Sequence, residues 1–175
     1  MRRRTVMPLF LVIALGLLTL GLAIGVSAKQ SNDAAVRSVT ARFHSLRQAE
    51  KAGYVPFYMC AEQPGVGTMG QHYVNFDLVG DPAIDPLRPE ALVYEPQPDG
   101  SLKLVALEWV RVGAPEATGP TVLGQPLFYR SAPNRYGIEP GFYERHYWLY
   151  RSNPAGAFED WNPTVSCHGT GDGGG

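Results

Sequence analysis

The sequence contains only two cysteines, and no Cys-x-x-Cys pair is present. Cysteine-built zinc sites and dithiol redox couples use that spacing, so the sequence argues against both. It also has no Gly-x-Ser-x-Gly nucleophile elbow, no helical His-Glu-x-x-His and no Gly-Lys-Ser/Thr phosphate loop. No catalytic residue is therefore assigned from a motif, and any reactive site has to be assembled from residues that are distant in the chain.

The sequence also has no excess of basic over acidic residues. The chain has 15 Lys and Arg against 16 Asp and Glu, and three of the arginines are residues 2–4. If that first segment is removed, 12 basic residues remain against 16 acidic ones. A nucleic-acid binder needs a clustered basic face to neutralise phosphates, so we expect no nucleic-acid partner.

Only one long hydrophobic run occurs, at residues 9–26, after Met1-Arg2-Arg3-Arg4 and before Val26-Ser27-Ala28. A positive start, an apolar stretch and small residues at the end are typical of a secretory signal peptide. We predict a signal peptide at residues 1–28; an uncleaved anchor remains the alternative, because the run is long enough to cross a bilayer. Both place the folded part outside the cytoplasm, secreted or in the cell envelope.

The remaining chain has the length of one domain with a substantial core. We predict a single globular domain at residues 29–168 and a flexible, glycine-rich tail at 169–175. Because exported chains tend to oxidise their thiols, Cys60 and Cys167 are expected to form a structural disulfide.

The local patterns predict an α+β fold. Apolar residues at three- and four-residue steps predict an amphipathic helix over residues 33–52. Two strands, 91–95 and 102–111, should form a hairpin across an Asp-Gly turn, and 142–151 should be a further strand. Glycine and proline predict loops at 61–70, 80–89 and 113–141. The helix would pack on a mostly antiparallel sheet or small open barrel with long Gly/Pro-rich loops.

Strand alternation singles out three ionisable residues. Side chains alternate between the two faces of a strand, and His72, Glu108 and His146 each fall in phase with apolar or aromatic neighbours. A buried carboxylate or imidazole is costly unless it is paired, hydrogen-bonded or metal-bound. Two imidazoles and one carboxylate form the ligand set of catalytic zinc and of several mononuclear iron sites, so a divalent metal such as zinc or iron is a candidate cofactor, although the sequence alone leaves the cofactor unknown.

Three interpretations of these residues stay open. The first is an exported domain that binds a metal ion or small ligand through His72, Glu108 and His146. The second is a structural or interaction module of the cell envelope, in which the three residues form a satisfied hydrogen-bond network. The third is a metal-dependent hydrolase or oxygenase. Glu108 and Glu144 would also supply the two carboxylates of a glycosidase if a cleft separated them.

Other histidines and aromatic residues have simpler interpretations. His44 is expected to be partly buried on the helix and His168 to be solvated. The aromatic side chains that could line a groove are expected to belong to the core instead: Tyr73, Tyr94, Tyr143, Tyr147, Trp148 and Trp161.

Five segments resemble a group of exported bacterial proteins for which no activity is known. They are Ala-Gly-Tyr at 52–54, Met-Gly-Gln-His-Tyr-Val-Asn at 69–75, Arg-Pro-Glu-Ala-Leu-Val-Tyr-Glu at 88–95, His-Tyr-Trp-Leu-Tyr at 146–150 and Trp-Asn-Pro-Thr-Val-Ser-Cys at 161–167. The resemblance implies a shared fold and compartment and implies no reaction.

Overall fold

The computed structural model describes residues 30–168. The predicted signal peptide and the predicted glycine-rich tail lie outside the described residues. Within the described residues, the compact unit that begins at Val36 contains every strand given below.

The predicted helix over 33–52 is interrupted. Residues 30–40 form α1, Ala41–His44 continue as a 3-10 helix, and Leu46–Lys51 form α2. Ser45 between them is extended, with φ −91° and ψ 109°. The Tyr94 hydroxyl donates a 2.7 Å hydrogen bond to the Phe43 carbonyl, so this carbonyl has a tertiary partner where a continuous helix would supply an amide. The break is therefore set by packing.

The structure confirms the α+β class, because the helical segment is followed by a mostly antiparallel sheet. This sheet curls into a half-barrel. The described strands are β1 Val55–Gln63, β2 Gly67–Val74, β3 Ala91–Pro96, β4 Leu102–Val112, β5 Thr121–Val122, β6 Gln125–Pro126, β7 Phe128–Ser131 and β8 Gly141–Tyr147. Six of them form the sheet in the order β1-β2-β3-β4-β8-β7, and β5 pairs with β6 in a separate ribbon. A short helix, α3, spans Phe76–Val79 and is capped by the side chain of Asn75.

The hairpin of β3 and β4 is confirmed, whereas the loop prediction for 61–70 is wrong and the one for 113–141 holds only outside three short strands. Residues 61–70 belong mostly to β1 and β2, and the region 113–141 contains β5, β6 and β7. Gly70 lies inside β2. The position requires a glycine, because a Cβ there would approach the Tyr94 carbonyl oxygen to 2.9 Å. A glycine in a strand therefore marks a close approach of two backbones here, and not a loop. The predicted strand at 142–151 ends earlier, at Tyr147.

Two hydrophobic clusters make up the core. The larger one includes Phe43, Leu92, Leu107 and Trp109, and the smaller one consists of Val93, Val105, Ala106, Trp148 and Val165.

Strand β4 has a bulge at residue 105. Val93 of β3 pairs with Ala106, whereas the next residue of β3, Tyr94, pairs with Leu104, so residue 105 has no partner in this register. The alternation predicted for β4 is therefore broken at residue 105, while it holds from Ala106 to Glu108 and Val110.

The predicted disulfide between Cys60 and Cys167 is present, with Cα atoms 5.8 Å apart and a sequence separation of 107 residues. It ties β1 to the C-terminal segment, and such bonds are typical of an oxidising compartment outside the cytoplasm. Within residues 30–168, none of the helices is both long and apolar enough to cross a membrane.

Candidate metal centre

Three strands deliver the three predicted residues to one face of the sheet. Glu108 on β4 and His146 on β8 are direct cross-strand partners. His72 lies two strands away from Glu108, on β2, and its own cross-strand partner is Val93 of β3. Alternate strands lie about 9.5 Å apart, so contact across β3 requires curvature and small intervening side chains. Both conditions are met, because the sheet curls and β3 presents Ala91 and Val93 between the two sites.

The polar atoms of these side chains converge as predicted. His72 Nε2 is 3.1 Å from His146 Nε2 and 3.4 Å from Glu108 Oε2. His146 Nδ1 is 3.7 Å from Glu108 Oε1. One ligand atom from each residue lies within 4.8 Å of the other two, and all three residues are buried.

These separations match the spacing of ligands around a small divalent ion. Bonds of about 2.0–2.1 Å in a tetrahedron place neighbouring ligand atoms roughly 3.3 Å apart. The measured separations of 3.1 and 3.4 Å at His72 Nε2 bracket that value. The same distances also suit a direct hydrogen bond between the two imidazoles, so geometry alone is compatible with metal binding and with a structural network.

Burial keeps both imidazoles neutral. Desolvation lowers the pKa of His72 to about 3, with a further contribution from His146. Desolvation also lowers the pKa of His146 to about 3, and Arg130 and Arg145 act in the same direction. A neutral imidazole is the form that binds metal, so no proton has to leave either ring at neutral pH.

Glu108 forms a carboxyl pair with Glu144 of β8. Burial raises the pKa of Glu108 well above its usual value, and the neighbouring Glu144 carboxylate raises it further through charge and a hydrogen bond. Burial raises the pKa of Glu144 as well, while Arg130 Nε, which donates to Glu144 Oε1 at 2.5 Å, acts in the opposite direction. Burial therefore favours a proton within this carboxyl pair, and a cation bound at Glu108 would take the place of that proton.

This contact bears on the glycosidase interpretation. The two carboxyl groups of a retaining glycosidase stand about 5 Å apart, and those of an inverting enzyme stand further apart. Glu108 and Glu144 are instead joined by a hydrogen bond. The pair lacks the gap in which a glycosidic bond would sit.

Asp160 is the part of the site that the sequence patterns missed. It lies after β8, in a loop held by hydrogen bonds from Trp148 N to the Ala157 carbonyl and from Trp148 Nε1 to the Glu159 carbonyl. One of its oxygens pairs with Arg130 Nη2. The other, Oδ1, is 3.8 Å from His146 Nδ1, and neither of these two buried atoms has a hydrogen-bond partner among the described residues. No local pattern marks Asp160, because its position depends on how the loop packs.

A pocket that is partly open to solvent reaches the site at His72 and Glu108. Its wall is mostly apolar, and it includes Val74, Phe76, Val79, Val110, Ile138 and Phe142. His72, Glu108 and Glu144 line it too. A second pocket is more polar, is lined by Arg130 and Asp160, and shares Glu144 with the first.

The remaining sequence candidates lie elsewhere. His44 packs edge-on against Tyr150, with ring centroids 4.6 Å apart, and its side chain is exposed. His168 is exposed at the end of the described chain. The aromatic residues are core residues as predicted, except Trp161, which lines the polar pocket.

No protein-family model matches the chain, and no significant similarity was found to a curated protein or to a solved structure. The resemblance to exported bacterial proteins stays a prediction.

Proposed function

We propose that the protein is an exported domain that binds one divalent transition metal ion through His72, Glu108 and His146. The observation that carries the proposal is the convergence of these three buried side chains, with separations of 3.1 and 3.4 Å at His72 Nε2. The leader pattern and the disulfide support export. Zinc and iron(II) share this ligand set, and metal analysis distinguishes them.

The orientation of His146 adds support. Its Nε2 faces His72, while Nδ1 lies 3.7 Å from Glu108 Oε1 and 3.8 Å from Asp160 Oδ1, an oxygen with no hydrogen-bond partner among the described residues. Histidine ligands in proteins usually donate their second ring N–H to a carboxylate or carbonyl, which fixes the ring. A small movement that brings Nδ1–H onto Asp160 would satisfy both buried atoms. Arg130 holds Asp160 from its other oxygen.

The alternative is an envelope module without a reactive site. The 3.1 Å contact between the two Nε2 atoms supports it, because one neutral imidazole can donate to the other. In that case the three residues contribute to stability and hold no ion.

Metal content separates the two. The full chain, exported through its own leader and purified without chelator, is analysed for metals beside a His72→Ala/His146→Ala double variant and a His44→Ala control. We expect one equivalent of metal in the wild type and the control and none in the double variant, with circular dichroism reporting folding. Wild type that stays metal-free after dialysis against zinc and against iron(II) would contradict the proposal.

The role of Asp160 is tested by Asp160→Asn, with the exposed neighbour Glu159→Gln as control. Loss of the carboxylate that orients a histidine ligand typically lowers metal affinity about 10- to 100-fold. Competition with a chromophoric chelator measures this change. An unchanged affinity would show that Asp160 does not orient His146.

A further inference from the structure

We propose that the polar pocket beside the metal centre binds a neutral sugar through one pyranose ring, either as a free sugar or as the end of a glycan. The residues of this pocket that carry the argument are Gln63, Arg130, Arg135, Tyr136, Asp160 and Trp161. The inference goes beyond the proposed function, because none of these residues is a proposed metal ligand.

The space available favours this pocket over its apolar neighbour. The polar pocket has a volume of about 300 Å³, whereas the apolar pocket that shares Glu144 with it has about 50 Å³. Sites for small molecules begin at about 300 Å³. Of these two pockets, the polar one therefore has the room for a six-membered ring with its hydroxyl groups.

Two aromatic side chains give the pocket apolar surface. Trp161 lines it from the loop after β8, and Tyr136 lines it from the loop between β7 and β8. Both residues are partly exposed. The electron-rich face of an aromatic ring packs well against C–H groups, and such groups cover the faces of a pyranose ring.

Three side chains around the pocket have hydrogen-bonding groups that the protein leaves free. They are Gln63 at the end of β1, Arg135 before β8 and Trp161 after β8, and none of their side chains makes a hydrogen bond or ion pair with another residue in 30–168. Amide, guanidinium and indole N–H groups are donors. Because these donors come from three segments, a ligand that uses all of them carries acceptors around its whole rim.

The segments that carry the two aromatic residues are held in place by hydrogen bonds within the protein. The Asn153 side chain donates to the Trp161 carbonyl at 3.0 Å, and the residue that follows is bridged to β2. Asn134 Oδ1 accepts from the Tyr136 amide at 3.2 Å, and Nδ2 donates to the Ile138 carbonyl at 2.8 Å. A site whose walls are already ordered loses less conformational entropy when a ligand binds.

A pyranose matches this arrangement better than a carboxylate or a hydrocarbon ring does. Its oxygens are distributed around the ring and accept hydrogen bonds from several directions, while its faces present C–H groups. A carboxylate has its acceptors at one end, so it meets Arg135 and leaves the other donors unused. A hydrocarbon ring fits the aromatic walls and deprives the polar groups of their water.

Saturation-transfer NMR on the full-length protein tests the ligand class. The probes are the methyl α- and β-glycosides of glucose, galactose, mannose and N-acetylglucosamine, with cyclohexanecarboxylate and cyclohexanol as comparators. We expect at least one glycoside to bind with a Kd below about 5 mM and at least about tenfold more tightly than both comparators. A smaller preference, or no glycoside that binds below about 5 mM, would overturn the inference.

A trisaccharide that ends in the preferred sugar distinguishes the two sources of this ligand. Binding at least about tenfold tighter than that of the methyl glycoside assigns the site to the end of a glycan, and a smaller gain assigns it to a free sugar.

The location is tested by Trp161→Ala and Arg135→Gln. Phe76→Ala and Arg47→Gln are matched controls at exposed positions that do not line the polar pocket. We expect each pocket variant to lose at least about fivefold in affinity for the preferred glycoside, while the controls stay within about twofold of the wild type. Circular dichroism reports folding, and Arg135→Gln, at an exposed position, keeps the test decisive if Trp161→Ala does not fold. Unchanged affinity in Arg135→Gln, or an equal loss in Phe76→Ala, would overturn the inference.

Discussion

Glu90, the residue before β3, should make the stability of the protein depend on pH. Its side chain is only 2% exposed, and Oε2 accepts a 3.0 Å hydrogen bond from the Val110 amide. Burial raises its pKa from 4.5 to about 7, and the hydrogen bonds to its carboxyl group offset only part of that change. The folded state therefore favours the protonated acid.

The direction of the effect follows from linkage. Because the pKa is higher in the folded state than in the unfolded state, the contribution of Glu90 is fully present below about pH 4.5 and is lost as the pH rises through about 7. Each pKa unit corresponds to about 1.4 kcal/mol, so the whole change is about 3 kcal/mol. Roughly 2 kcal/mol of it falls between about pH 5.5 and about pH 8.5.

Glu90→Gln keeps an oxygen acceptor for Val110 and removes the titration. Urea unfolding of the variant and the wild type at both pH values gives the difference in unfolding free energy, in which the other titrating groups cancel. We expect the variant to gain about 2 kcal/mol relative to the wild type on going to the higher pH. Glu62→Gln, at an exposed position, is the control. A difference that stays constant within about 0.5 kcal/mol would refute the reasoning.

Two further predictions concern the fold. Cys60→Ser/Cys167→Ser removes a disulfide that joins residues 107 positions apart, and it should lower the unfolding free energy, measured by urea titration, by about 4 kcal/mol. A loss below about 1 kcal/mol would contradict the loop-closure account. Gly70→Ala should lower the unfolding free energy by at least about 2 kcal/mol, because its Cβ would lie 2.7 Å from Val93 Cγ1. The control is Gly65→Ala, at a position that also has a positive φ but has no atom within 4 Å of the added Cβ, and it should lower the unfolding free energy by about 1 kcal/mol. Equal losses in thermal or urea unfolding would show that close packing at Gly70 is unimportant.

The fold class and the β3–β4 hairpin were predictable because their signals are local. Asp99-Gly100 sits between two apolar runs, and it forms the turn with Gly100 at a φ of 81°. Local signals misled where tertiary contacts use the same residues differently. Gly67 and Gly70 look like loop residues in the sequence, but both lie in β2 and make room for neighbouring backbone.

The candidate site was predictable to the extent that it depends on alternation. Glu108 and His146 were placed on buried faces, and both are buried, since no bulge intervenes between Ala106 and Glu108. Strand alternation predicted the wrong face for Leu104, because the bulge at residue 105 places Leu104 on the face opposite to Glu108, in the larger hydrophobic cluster. Asp160 could not be predicted, because it belongs to no strand and reaches His146 only through the packing of its loop.

The sequence by itself determined the alternation that buries Glu108 and His146 on their strands, and which cysteines are available to pair. Each of these properties depends on a residue and its near neighbours. Only the tertiary structure decided that His72 meets Glu108 across β3, that Glu144 and Asp160 join them, and that an apolar pocket opens above. Those contacts depend on strand order, register and sheet curvature, which arise from pairings between residues far apart in the chain.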